Sequence, residues 1–207
     1  APGRGGRDRD HGSYTKFMSI LLGLALLLAP IKPETGHFTI YQDGKRIGTE
    51  DFSVAPRQQG YSVEGRTSIG EVNISSRMEL DSKLIPTAYE YSSRQGTIRV
   101  KIANPLSELS IGGGGNSTDF RFPEGGVILD NNFFHHFLIL LYRAQAVQGM
   151  FAVFVPQDMK VGTVTVRATG ARTYDLDTGD VKLQATTDSD GRLIRLVVPD
   201  AKVVVER

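Results

Sequence analysis

Asp130-Asn131-Asn132-Phe133-Phe134-His135-His136-Phe137-Leu138-Ile139-Leu140-Leu141-Tyr142-Arg143-Ala144-Gln145-Ala146-Val147-Gln148 is the stretch whose reading decides the fold. Its apolar residues fall on nearly every side of a 3.6-residue helix and leave almost no polar face. Asp130 or Asn131 is placed to N-cap the helix, and Gly149 to end it. A helix apolar nearly all round has to be enclosed, and in a chain of 207 residues the enclosing element is a sheet.

The flanking sequence supplies that sheet. Upstream, His37 to Gln42 alternates apolar and polar residues, Asp43-Gly44-Lys45 is a hairpin turn, and Arg46 to Val54 resumes the extended run. Similar runs follow at Tyr61 to Ser68, Glu71 to Leu80, Leu84 to Ser92 and Thr97 to Ala103, with short turns between them. Downstream come Met150 to Val155, Val161 to Thr169, Val181 to Thr187, Leu193 to Val198 and Lys202 to Glu206. Close spacing of this kind describes a meander, not a βαβ succession. The expected fold is mainly β: an antiparallel rolled sheet or incomplete barrel of about a dozen strands around one apolar helix over roughly residues 130–148.

Composition removes several functions. Lys and Arg number 24 against 23 Asp and Glu, so the basic surplus that neutralises nucleic-acid phosphates is missing. No cysteine is present, which excludes disulfides, thiolate metal sites and a Cys nucleophile. The N-terminal part reads as an address. Residues 1–17 are rich in Gly, Arg and Asp up to Lys16, and are taken as an extension or upstream fragment. Residues 18–35 form a signal peptide, with Lys16 before a short apolar run that ends at Ala29 and Pro30-Ile31-Lys32-Pro33 at its exit. Cleavage is expected at Ala29 or a few residues later near Gly36, leaving 36–207 as one exported domain. A buried core helix is the alternative reading of the apolar run.

Within that domain, residues 104–127 break the strand rhythm. Gly112, Gly113, Gly114 and Gly115 cannot hold one backbone conformation cheaply, so a mobile loop is expected there, able to gate an opening. A phosphate-binding loop would need Gly-Lys-Ser/Thr at a helix start, which is missing. His135 and His136 are the natural recruits for acid-base or metal chemistry, with Asp130 upstream. Neighbouring helical residues lie about 100° apart, so both rings cannot easily face one metal ion, and an interior histidine is the plainer reading. The acidic stretches Asp175-Leu176-Asp177-Thr178-Gly179-Asp180 and Asp188-Ser189-Asp190-Gly191 are read as hairpin turns, since the calcium-loop pattern is incomplete. No Gly-x-Ser-x-Gly elbow of a serine hydrolase occurs.

The opening Phe38-Thr39-Ile40-Tyr41-Gln42-Asp43-Gly44-Lys45-Arg46-Ile47-Gly48-Thr49-Glu50, the internal apolar helix and the closing Asp190-Gly191-Arg192-Leu193-Ile194-Arg195-Leu196-Val197-Val198-Pro199 resemble exported bacterial domains of unknown function with a spiral β-roll. Those domains are distantly similar to the periplasmic Lol-type lipoprotein carriers. The resemblance implies a non-enzymatic cell-envelope protein in the periplasm or outer envelope, holding a lipid, an acyl chain or another hydrophobic ligand without a cofactor. Phe133, Phe137, Leu141 and Tyr142 are the candidate lining residues, with His135 and His136 near them. The same side chains serve equally as plain core. An envelope scaffold that pairs strand edges with other envelope proteins is the alternative function, and a hydrolase or metal enzyme around His135, His136 and Asp130 is a third.

Overall fold

A computed structural model describes residues 31–113 and 116–207. The apolar run of the expected signal peptide and Gly114 and Gly115 lie outside those residues. Eight strands come first: β1 (Glu34–Gln42), β2 (Lys45–Arg57), β3 (Gly60–Ile69), β4 (Val72–Leu80), β5 (Pro86–Ser93), β6 (Gly96–Lys101), β7 (Ser107–Ile111) and β8 (Ser117–Phe120). The short β9 (Val127–Ile128) precedes the helix α1 (His135–Ala146). Six more strands follow: β10 (Gly149–Val155), β11 (Lys160–Ala168), β12 (Thr173–Asp177), β13 (Lys182–Thr187), β14 (Leu193–Val198) and β15 (Val203–Glu206).

All fifteen strands belong to one sheet, ordered β8-β7-β6-β5-β4-β3-β2-β1-β15-β14-β13-β12-β11-β10-β9. The sheet is thus two meandering arms, joined where β1 pairs with β15 through Ile40 opposite Val205. Every neighbouring pair is antiparallel except β9 with β10. The first hairpin forms as the sequence predicts. Gln42 opposes Lys45, and Asp43 and Gly44 carry φ of 50° and 74°, the two positive values that a type I′ turn requires.

Alternation along each strand sorts the side chains. On β2, Phe52 and Val54 point inward, and on β4 Ile74, Met78 and Leu80 do, while Arg77 and Glu79 point outward. The inward set packs against Leu138, Ile139, Leu140, Leu141 and Ala144 of α1 in one continuous core. Each fully buried Leu or Ile contributes about 1.5–3 kcal/mol through removal of its apolar surface from water, which is why a helix with so little polar face is stable here. The rolled sheet around a single helix is therefore present.

Four details differ from the sequence reading. The helix is shorter than 130–148, and Asp130 does not cap it: the N-cap position is Phe134, with no side-chain cap on the helix itself. Its end is Ala146, capped through Val147 rather than by Gly149, which opens β10. Residues 104–127 are not one long loop, because they form β7 and β8 and reach the first residue of β9. The stretch read as an acidic turn from Asp175 contains the second half of β12, whose Tyr174 and Leu176 are buried and alternate with exposed Thr173 and Asp177. Finally, β1 begins at Glu34, so a domain boundary at Gly36 falls inside the first strand.

Candidate functional site

The polar centre of the molecule lies where α1 begins. On β2 the residue two positions before Phe52 is Glu50, which strand alternation sends into the core with no exposed surface. Its carboxylate accepts four hydrogen bonds. Oε2 takes the Phe134 backbone N–H at 2.9 Å and the Thr67 hydroxyl at 2.8 Å. Oε1 takes the His135 backbone N–H at 2.7 Å and His135 Nδ1 at 3.0 Å. Two backbone N–H groups at the helix start are thus satisfied by a strand more than 80 residues away, and the negative charge sits at the positive end of the helix dipole.

His135 fits because the sheet leaves room for it. Gly65 of β3 lies under the imidazole, and a Cβ there would come within 2.1 Å of the ring. Phe52 stacks on the other side with ring centres 6.2 Å apart. With Nδ1–H directed at Glu50, the ring's Nε2 accepts the hydroxyl of Ser76 on β4 at 3.3 Å. Ser76, His135 and Glu50 therefore share the connectivity of a serine-hydrolase relay. Glu50 and His135 are fully enclosed, while Ser76 and Gly65 border an open hollow on the outer face of β3 and β4. Through these bonds the start of α1 is joined to β2 and β4.

His136 faces a second carboxylate site. Its Nδ1 accepts the Asp130 backbone N–H at 3.1 Å, which leaves the proton of the neutral ring on Nε2, a buried atom without a partner among the described residues. Burial, and then the adjacent His135, hold this imidazole well below its ordinary pKa, so it is neutral. Asp130, itself buried, accepts the Tyr89 hydroxyl and the Gln157 amide through Oδ2, and the Asn132 N–H and amide through Oδ1 at 2.9 and 3.0 Å. Burial and the Asp130 carboxylate push the Tyr89 phenol well above its usual range. The two histidine rings meet edge-on at 4.5 Å; His135 is bonded to the Glu50 carboxylate, whereas His136 accepts the backbone N–H of Asp130. Among the described residues no group of three or more His, Asp or Glu side chains is arranged to hold a metal ion.

The four apolar candidates separate. Phe133 is buried with its ring edge against Tyr91 and His135. Leu141 is in the central core. Phe137 and Tyr142 are half-buried at its margin. The Tyr142 hydroxyl donates to Glu34 at 2.7 Å, and burial together with this bond raises its pKa. Glu34 is also paired with Arg207, so Tyr142 ties α1 to the first strand and the end of β15. Gly112 and Gly113 belong to the β7–β8 connection, beside the edge of the sheet.

That edge closes in a way the sequence did not reveal. No ladder joins β8 to β9, yet Phe120 of β8 stacks on Phe154 of β10 at 4.5 Å, and Phe122 meets the same ring edge-on at 5.9 Å. Glu50, Thr67, Ser76, Tyr89 and Gln157 were likewise missed as partners. For Glu50 a signal existed in its parity with Phe52 and Val54 on an alternating strand. Scans against protein-family models and searches of curated proteins and of solved structures return no match to this chain.

Proposed function

We propose that the protein is an exported, non-enzymatic cell-envelope protein whose rolled sheet takes up a lipid or another hydrophobic ligand at the seam between β8 and β9. The observation that carries this reading is that no ladder joins β8 to β9, while Phe120 and Phe122 pack on Phe154 across the gap. Everywhere else, parting two strands would break a hydrogen-bonded ladder; here three aromatic side chains can move aside and expose apolar lining at no cost in backbone pairing. Export rests on the apolar run ending at Ala29, and the resemblance to Lol-type carriers supports an acyl chain as the ligand class. The enclosure of Glu50 and His135 supports a structural role for the relay and a protein without catalytic activity.

Native mass spectrometry of the full chain, paired with lipid analysis of an organic extract, tests the reading. An acyl species that co-purifies with the wild type and is lost in a Phe120→Ser/Phe122→Ser variant is the expected result. A ligand-free mass for both proteins would sink it. The free outer edge of β8, whose Ser117, Thr118 and Asp119 are exposed, favours a second reading as an interaction scaffold that adds a partner's strand. A stable protein complex recovered with the ligand-free chain would move the conclusion there.

A further inference from the structure

The outer face of β3 to β6 carries two successive cross-strand rows of opposite character. In the first, Glu64, Arg77, Glu90 and Arg99 stand opposite one another on four consecutive strands. Arg77 Nε lies 3.8 Å from Glu64 and 2.8 Å from Glu79, and Arg99 Nε lies 2.8 Å from Glu90. Every cation of this row has a carboxylate. Two residues along, the same four strands present Arg66, Ser75, Ser92 and Thr97. Here one cation meets three hydroxyls, and Arg94 follows immediately beyond β5 as a second cation.

Arg66, Ser68, Asn73, Ser75, Ser92, Ser93 and Arg94 line an open hollow of about 500 Å³ in which no carboxylate takes part. Arg66, Ser75 and Ser92 also border an adjoining hollow with Glu64 and Glu90, whose carboxylates face Arg77 and Arg99, and the carboxylate of Asp51, the cross-strand neighbour of Arg66 on β2, is turned to His37 at 2.7 Å. Neither Arg66 nor Arg94 makes an ion pair among the described residues, whereas Arg77 and Arg99 do. From strand spacing and rise, the two free arginines start roughly 12 Å apart along the backbone, close enough for both extended side chains to reach one bound molecule.

We infer that this hollow binds an anionic sugar, one whose phosphate or carboxylate is gripped by Arg66 and Arg94 while its hydroxyls meet the serines and Asn73. A guanidinium fork matches an oxyanion with two parallel N–H donors. Serine hydroxyls and an asparagine amide both donate and accept, which suits a ring bearing several hydroxyl groups. The site is independent of the seam and of any ligand held inside the roll.

Titration of the full chain with glucose 6-phosphate, glucose and inorganic phosphate, followed by amide chemical shifts and calorimetry, tests the inference. Saturable binding of glucose 6-phosphate, with shifts centred on Ser75 and Ser92 and an affinity about tenfold or more above that of either fragment, is expected. Arg66→Gln with Arg94→Gln should weaken it by about tenfold or more, while Arg99→Gln in the paired row leaves it unchanged. Circular dichroism verifies that these surface variants fold. Equal binding of inorganic phosphate, equal loss in the Arg99→Gln variant, or no saturable binding would each overturn the inference.

Discussion

The two ends of α1 are held by opposite means. At its start, Glu50 gathers two backbone N–H groups, an imidazole and a hydroxyl in full enclosure. At its end, Val147 is 63% exposed and Met150 is 71% exposed. The last turn there is steadied by Arg143, whose guanidinium donates to the Gly126 and Gly125 carbonyls at 3.0 and 2.8 Å and lies over Phe151. A buried cap is demanding because every donor it leaves behind is cut off from water, whereas groups near the open end can turn to solvent. The helix is therefore expected to be rigid at residue 135 and more tolerant of change at residue 147.

The largest expected effect that would break this contrast is Glu50→Ala, which takes the acceptor from the Phe134 and His135 N–H groups and from the enclosed His135 ring and should cost about 3–5 kcal/mol in urea unfolding. A loss below about 1 kcal/mol would mean that the helix start is not fastened by this carboxylate. Next comes Gly65→Ala, whose methyl group would occupy the place of the His135 ring; a loss of about 1–3 kcal/mol is expected from overpacking. At the open end, Val147→Ser should change stability by no more than about 0.5 kcal/mol.

Acidity sharpens the same comparison. His136 is faced by the His135 ring, by the Asp130 backbone N–H that it accepts, and by Tyr89. Its folded pKa lies below the ordinary imidazole value of about 6.5, so the unfolded chain binds more protons once the pH falls beneath that value. The stability it contributes is complete above pH about 6.5 and declines as the pH drops towards the folded pKa, by at most about 1.4 kcal/mol per pH unit. Urea unfolding of wild type and His136→Gln at pH 7.5 and 5.5 measures it. The wild type should lose more stability on acidification than the variant, and an equal loss in both would remove His136 from the account.

Much of the fold was legible because hydrophobic periodicity is a local property. Leu193 to Val198 appears as read, the Asp43-Gly44 hairpin forms, and α1 lies where its phenylalanines and leucines place it. The strands that escaped notice are short or polar. Ser117–Phe120 has one half-buried apolar residue, and Thr173–Asp177 was hidden by aspartates that favour turns. Asp130 looked like an N-cap from its neighbours alone, but its oxygens are engaged by Tyr89, Gln157 and Asn132, and the cap comes from another strand. The histidine pair was visible; its partners depended on register, which no local pattern carries.

The pairing of β1 with β15 reaches further than its four residue pairs suggest. This chain has no cysteine with which to staple distant segments. Its first and last strands do that work instead, reinforced by Arg207 on Glu34, and so close a loop containing almost the entire domain. Closure entropy grows only slowly with loop length, so a ladder of this size can hold the ring shut. Unlike a disulfide it opens reversibly, and deleting residues 203–207 would turn one continuous sheet into two arms with a new unpaired edge on each.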